Sequence, residues 1–397
     1  MMLEALGRAG LRESAGTATV LQSHYYDAAL HRAITETGPL GGRATIERAA
    51  ASAAYREVSS WITSTLSARE AVTGLILHSG LGAVETFKGE GQRFEIALNP
   101  SHYAKARQEM FGAASAPACD VARGAISGAL GAVLGKIYEV REVECVAAAG
   151  KKCRFVATVS PANFAPIDPF SWPAGGEAPA ADSAFPPAEL LAPVIRTEGG
   201  VAGSTYGSLW AEMYARAAHE FEAEIPKVMG SKFANLASVV LTEAAHLGTF
   251  YSIGGLVRSP EWRQMVVPRL PAREDWVHAV VSLVESFGWG SWRVRLLAPE
   301  QRFTVHVRDG YEALSYHALS GVATTPRCYF ARGVVAALMN ILYAGDVITP
   351  ETLDQSLYNR LFRSPSSFRA IETSCQAMGH EYCEFVANPL SPGMRRS

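Results

Sequence analysis

Apolar and polar positions follow two rhythms along this chain, one helical and one of alternating strands, and both recur in its second half. Ala54 to Leu66 and Ala68 to His78 place apolar residues at helical spacing, and Ser67 with Glu70 forms a capping box at the second start. Tyr206 to Glu224 and Phe233 to His246 show the same spacing. Arg93-Phe-Glu-Ile-Ala-Leu98 and Arg302-Phe-Thr-Val-His-Val307 alternate like half-buried strands. Cys119 to Leu134 returns to the helical rhythm with Gly124, Gly128 and Gly131 on related faces. Small residues there let another backbone approach closely, at some loss of helix propensity. Ile137–Cys145 and Cys153–Val159 read as two strands joined by a turn holding Gly150. The expected class is α+β, with helices and antiparallel sheet mixed in each half.

The halves share more than rhythm. Gln92-Arg93-Phe94 recurs as Gln301-Arg302-Phe303, and Cys119 to Cys328 keeps the same offset of 209. Ala122-Arg123-Gly124 matches Ala331-Arg332-Gly333 in that register, and Leu66-x-Ala-Arg-Glu70 recurs as Leu270-x-Ala-Arg-Glu274. Cys153-x-Phe-Val-Ala157 matches Cys383-x-Phe-Val-Ala387 at an offset of 230, so the second copy holds about 21 extra residues. They fall between Ala344 and Ser367, whose prolines and serines predict a surface excursion. The simplest reading is a tandem duplication. It gives a first domain over residues 1–161, a Pro/Ala/Gly-rich linker over 162–203, a second domain over 204–390 and a tail over 391–397.

Composition narrows the class. A hydrophobic content of 48% with 19% charged residues fits a globular protein, and a net charge of −2 argues against a surface built for nucleic acid. Met1 to Gly16 lacks the apolar core of a signal peptide, and the longest apolar run, Ala125 to Leu134, falls short of the ~20 residues of a membrane span. The expected location is cytoplasmic, where grouped cysteines point to metal binding more than to disulfides.

All six cysteines fall into two copies of one pattern: Cys119 with Glu142-x2-Cys145-x7-Cys153, and Cys328 with Glu372-x2-Cys375-x7-Cys383. Three thiolates and a carboxylate suit tetrahedral zinc, and a structural site fills all four positions with protein. Two structural Zn2+ sites are therefore expected. The alternative, buried cysteines acting as small hydrophobes, suits a lone cysteine better than two matched sets. Residues three apart in a regular strand face opposite ways, so the strand must bend, bulge or end near Val143–Glu144 for Glu142 and Cys145 to share an ion. Glu144 competes as ligand but corresponds to Ser374 in the second copy, and His380 corresponds to Gly150. Each site would carry a formal charge of about −2, and Arg123 and Arg332, one turn beyond Cys119 and Cys328, are candidates to balance it from just outside the ligands.

The pattern Cys-x3-Arg-Gly…Tyr-x3-Glu-x2-Cys-x7-Cys-x-Phe resembles the 4-vinyl-reductase domain. It is especially similar to the version in the N-terminal sensory module of phenol- and xylene-responsive activators. Cys119–Gly128, Arg141–Cys145 and Gly150–Phe155 carry the likeness. The resemblance implies an α+β domain stabilised by zinc on three Cys and one Glu, often dimeric, with a pocket for small hydrophobic or aromatic ligands. Other relatives act in bacteriochlorophyll biosynthesis and vesicle tethering. Phenol-binding members place a Trp and a His near a Ser-Phe-Glu-Ala segment. Here Ser101-His-Tyr-Ala104 and Gly310-Tyr-Glu-Ala313 stand there without the Trp, His317 lies one place out of register, and Phe368 replaces the pattern's Tyr in the second copy.

The expected function is a non-catalytic zinc-binding module, a sensor or carrier for a small hydrophobic or aromatic ligand. Trp289, Trp292, Tyr311, Tyr316 and His317 are candidates to line its site. A tetrapyrrole-pathway accessory or reductase-like enzyme is one alternative, although no GxGxxG cofactor fingerprint accompanies it. A ligand-free interaction scaffold is another: the halves would pack as a pseudo-dimer through the glycine-lined helices, with a protein partner or a second copy bound. Neither a phosphate-binding GxxxxGK[ST] loop nor a helix-turn-helix is visible, so direct nucleic-acid binding is not expected.

Overall fold

Where the sequence alternates, the chain builds two four-stranded antiparallel sheets of the same connectivity. The computed structural model describes residues 17–37, 42–62, 65–161, 204–270, 272–344 and 352–390, with short strands at Leu6–Gly7, Leu11–Ser14, Ile195–Arg196 and Gly200–Val201. Apart from the last two of those strands, the expected linker 162–203 lies outside the described residues, as does the tail 391–397. The chain divides into two compact units, one made of Glu13–Ser171 with Tyr206–Ala234, the other built on Asn235–Ser397.

In the first unit the sheet order is Gly82–Glu90, Arg93–Ser101, Cys153–Val159, Tyr138–Glu144. Phe94, Ile96, Leu98, Tyr138, Val140 and Phe155 are buried, while Arg93, Glu95 and Arg154 stay in solvent. Helix Asp120–Leu134 is fastened to the sheet by Ser127 Oγ donating to the Tyr138 carbonyl at 2.6 Å and Arg123 Nε donating to that of Val140 at 2.9 Å. Its glycines receive helix Gly42–Trp61: a Cβ at Gly124 would stand 2.3 Å from the Glu47 carbonyl oxygen, and one at Gly128 2.3 Å from that of Ala51. That helix begins earlier and ends sooner than the expected Ala54–Leu66. At the next helix, Ala68–His78, the capping box is present as read.

Strand Thr17–Ser23 pairs antiparallel with Tyr206–Trp210, and each leads into a helix, His24–Thr37 and Ala211–Met229. The expected helix from Tyr206 therefore starts five residues late, because a partner strand almost 190 residues away claims those residues. Between the two helices lies a buried polar chain. His24 donates from Nε2 to the Gly80 carbonyl at 2.9 Å, its Nδ1 meets Asp27 at 3.0 Å, and the Tyr214 hydroxyl donates to Asp27 at 2.5 Å. His31 pairs with the Tyr103 hydroxyl at 3.0 Å.

Burial pushes the His31 pKa from 6.5 down to about 4. Between those values the unfolded chain binds a proton that the folded chain refuses, so stability falls as pH drops from about 6.5 towards 4. A shift of this size is worth about 3 kcal/mol at roughly 1.4 kcal/mol per pH unit. Urea titrations at pH 7.5, 5.5 and 4.5 should show a flatter pH profile for His31→Gln than for the parent. Parallel profiles would mean that this imidazole is not the acid-sensitive group.

The second unit repeats the sheet as Ser291–Ala298, Arg302–Arg308, Cys383–Pro389, Phe368–Ser374. Helix Tyr329–Tyr343 packs on the long helix Leu236–Arg258, where a Cβ at Gly333 would stand 2.5 Å from that of Ala245. In both units the glycine faces are thus occupied from within the unit, and the expectation that the two glycine-lined helices pack on each other is not met. Asn340 brackets the start of the edge strand, donating to the Phe368 carbonyl at 3.1 Å and accepting its N–H at 2.6 Å. The extra residues are not the plain surface excursion expected. They include helix Gln355–Phe362, capped by Asp354 and burying Leu357, Tyr358, Leu361 and Phe362, while 345–351 lie outside the described residues. Among the described residues no helix is long and apolar enough to cross a membrane.

Candidate metal centres

Each centre is assembled by a helix start, an irregular strand and a tight turn. Cys119 caps helix Asp120–Leu134, and Cys328 caps Tyr329–Tyr343. The strands carrying Glu142 and Glu372 slip register after those residues, between Glu142 and Glu144 and between Glu372 and Ser374. The extra residue of this bulge, Val143, is turned 43% into solvent. It resolves the difficulty of two ligands three residues apart, since a bulge lets both aim at one face. A 3-10 turn follows, Val146–Ala148 or Gln376–Met378, closed by a left-handed residue, Ala149 at φ 62° or Gly379 at φ 87°. The turn brings Cys153 and Cys383 back beside their partners. The Val146 and Gln376 N–H groups donate to these two sulfurs at 3.4 and 3.2 Å, contacts that sequence reasoning missed because backbone donors leave no mark on residue type.

Within each set of four, the donor atoms lie within 4.8 Å of one another. Cys119 Sγ stands 3.7 Å from Cys145 Sγ and 3.6 Å from Cys153 Sγ; Cys328 Sγ stands 3.9 Å from Cys375 Sγ and 3.5 Å from Cys383 Sγ. Tetrahedral zinc with Zn–S bonds of about 2.3 Å sets its sulfurs about 3.8 Å apart, which matches; a disulfide would need about 2.05 Å. All six cysteines are free and buried. Glu142 Oε2 accepts the Cys119 N–H at 2.9 Å and Glu372 Oε2 accepts the Cys328 N–H at 3.1 Å. The other oxygen of each carboxylate is buried with no hydrogen-bond partner. An orphaned acceptor of this kind is costly unless a cation meets it.

Electrostatics point the same way. Burial, with the neighbouring cysteines adding, lifts Glu142 to about 8 and Glu372 to about 9. The surrounding sulfurs and burial raise the Cys119 and Cys328 thiols well above their usual value. Four acids packed together in a core ionise only against a compensating positive charge, and a divalent ion inverts that penalty. The residues present therefore fit a thiolate-preferring divalent metal.

The competing candidates lie outside the sets. Glu144 accepts the Lys151 N–H at 3.0 Å and pairs with Arg154, while exposed His380 bonds Ser374 at 2.8 Å. Gly150 has no room for a side chain beside Glu144; the second copy has the shorter Ser374, and there His380 fits. Arg123 is occupied by Val140, Asp120 and Glu47, and Arg332 by Thr242 and the Ser238 carbonyl, so these contacts anchor helices and do not touch the ligands.

Of the residues expected to line a ligand site, Trp289 and Tyr311 gather round Phe330 at 4.6 and 5.9 Å, and Trp292 donates to the Trp289 carbonyl at 3.1 Å. Tyr316 instead lies under Arg327, and His317 is exposed. Near this aromatic group, Glu312 is buried and receives the Phe330 and Ala331 N–H groups at 2.8 and 3.0 Å, a helix cap no local signal announced. A cavity of about 240 Å³ lies on the outer sheet face of the first unit, among Lys88, Lys152, Arg154 and Val143, and none of the five expected residues reaches it.

Residues 104–159 match the family model of the 4-vinyl-reductase domain. The structure is similar to the phenol-responsive sensory domain of the transcription activator PoxR solved with phenol, at 24% identity over 40% of this chain and 88% of that one, with a TM-score of 0.33. No curated protein matches the sequence.

Proposed function

We propose that the chain is a non-catalytic binding module, sensing or carrying a small hydrophobic or aromatic molecule, and that two copies of one domain each hold a structural zinc ion. One observation carries the reading: in both units three buried sulfurs and one unpartnered carboxylate oxygen converge at tetrahedral zinc spacing. Cys119, Glu142, Cys145 and Cys153 would hold one ion, and Cys328, Glu372, Cys375 and Cys383 the other. With four protein ligands no coordination position is left for a substrate, so the metal would supply folding energy. The family match over residues 104–159 and the motif's resemblance to sensory domains support the ligand-binding half of the proposal.

Native mass spectrometry of protein purified without chelator is the test. Two zinc ions per chain, with a small apolar molecule retained or taken up on addition, are the expected result. Absence of metal would overturn the structural role. One ion with an exchangeable ligand position, seen in the spectrum of the cobalt-substituted protein, would favour an enzyme instead.

A further inference from the structure

The second unit contains a buried imidazole with one nitrogen unused, set among aromatic rings. His246 lies on helix Leu236–Arg258 and is 4% exposed. Its Nδ1 faces the Glu243 carboxylate at 3.3 Å, which places the proton on that nitrogen and leaves Nε2 a lone-pair acceptor. Nε2 has no hydrogen-bond partner, and neither has the buried hydroxyl of Thr249, one turn along the same helix. Burial lowers the His246 pKa despite Glu243, which keeps the ring neutral at pH 7. Phe362 stands 5.8 Å from the imidazole, Phe250 5.9 Å from Phe362, and Tyr358 stacks on Phe362 at 4.6 Å.

The cover over this spot is helix Gln355–Phe362, which belongs to the stretch found only in the second copy. Eight residues do not sustain a helix unaided, so this one depends on what it packs against. The Tyr358 hydroxyl donates to Glu243 at 2.8 Å and the Arg363 guanidinium pairs with the same carboxylate. Burial alone would raise Glu243, but bonds from His246 and Tyr358 with the Arg363 charge hold it down at about 2. One anion thus orients the imidazole and latches its cover. Arg363 is 41% exposed, so the latch can exchange its bonds for water.

We propose that His246 Nε2 and Thr249 Oγ1 are the recognition groups of a binding site for a small aromatic molecule bearing a hydroxyl, admitted when helix Gln355–Phe362 lifts. The ligand hydroxyl donates to Nε2 and accepts from Thr249, while Phe250, Tyr358 and Phe362 close on its ring. The site rests on the binding-module reading above and adds a place and a polar chemistry to it. A site with unpaired polar groups rejects an isostere that cannot satisfy them.

The test uses the full, metal-loaded chain with phenol and toluene as probes in calorimetric titrations. Phenol should bind at least tenfold tighter than toluene. In His246→Phe that ratio should fall towards one, and the near-isosteric Thr249→Val should reduce it about threefold, with metal content and melting curve confirming the fold of each. Arg363→Ala should speed phenol association severalfold without changing the preference. Equal phenol affinity in the parent, His246→Phe and Thr249→Val would overturn this site and leave the binding-module reading standing. Failure of both probes to bind the parent would sink both.

Discussion

Cys153→Ser is expected to cost the protein one of two zinc equivalents and to unfold the unit around the lost site. Serine keeps the size of the side chain but offers a hydroxyl that stays protonated, so the tetrahedron loses a corner. Two further sulfurs, Cys119 and Cys145, and the unpartnered oxygen of Glu142 then remain buried without their common partner. Structural zinc contributes about 10–16 kcal/mol to small sites, against about 5–15 kcal/mol for the whole stability of a domain. The metal contribution is thus as large as everything else combined. Metal analysis should return one zinc per chain, and the first thermal transition should fall by more than about 10 °C, at roughly 2–4 °C per kcal/mol. Cys383→Ser should do the same to the other unit. Two zinc ions and an unchanged melt in either variant would end the metal reading.

Gly128→Ala should destabilise the first unit by about 1–3 kcal/mol, although alanine is the better helix former by ~1 kcal/mol. The new methyl would sit 2.3 Å from the Ala51 carbonyl oxygen and 2.9 Å from the Ala54 Cβ, and neither neighbour is a flexible side chain that could swing away. Helix Asp120–Leu134 would have to back off from Gly42–Trp61, pulling Cys119, its cap, out of line with the strand ligands. Gly135→Ala is the contrast: its φ is +64°, nothing lies within 4 Å, and only the backbone preference of about 1 kcal/mol is lost. Urea denaturation of the two variants separates these causes. A Gly128→Ala protein more stable than its parent would mean that the helices do not touch there.

The candidate centres were legible because their chemistry is local in kind if not in place. Cysteines are few, their spacing repeats, and the spacing of Glu142 and Cys145 even required an irregular strand where the register slips. What could not be read is what depends on distant pairing. Tyr206–Trp210 has helical spacing but becomes a strand because Thr19–Ser23 offers it a ladder of hydrogen bonds. Arg123 and Arg332 sit one turn from ligands, yet Glu47 and Thr242, contributed by other helices, claim them. His246 carried no motif, because an unused nitrogen is defined only by what surrounds it.

Sequence alone therefore determined the α+β content, the eight side chains of the two centres and the helix faces meant for close approach, since periodicity, cysteine spacing and glycine placement act within a few turns of chain. Tertiary structure decided which helix fills each glycine face, that Tyr206–Ala234 joins the unit of the first-half helices, and which polar groups end up buried without partners. These depend on contacts between residues far apart in the chain, where many pairings satisfy the same local pattern and only packing selects among them.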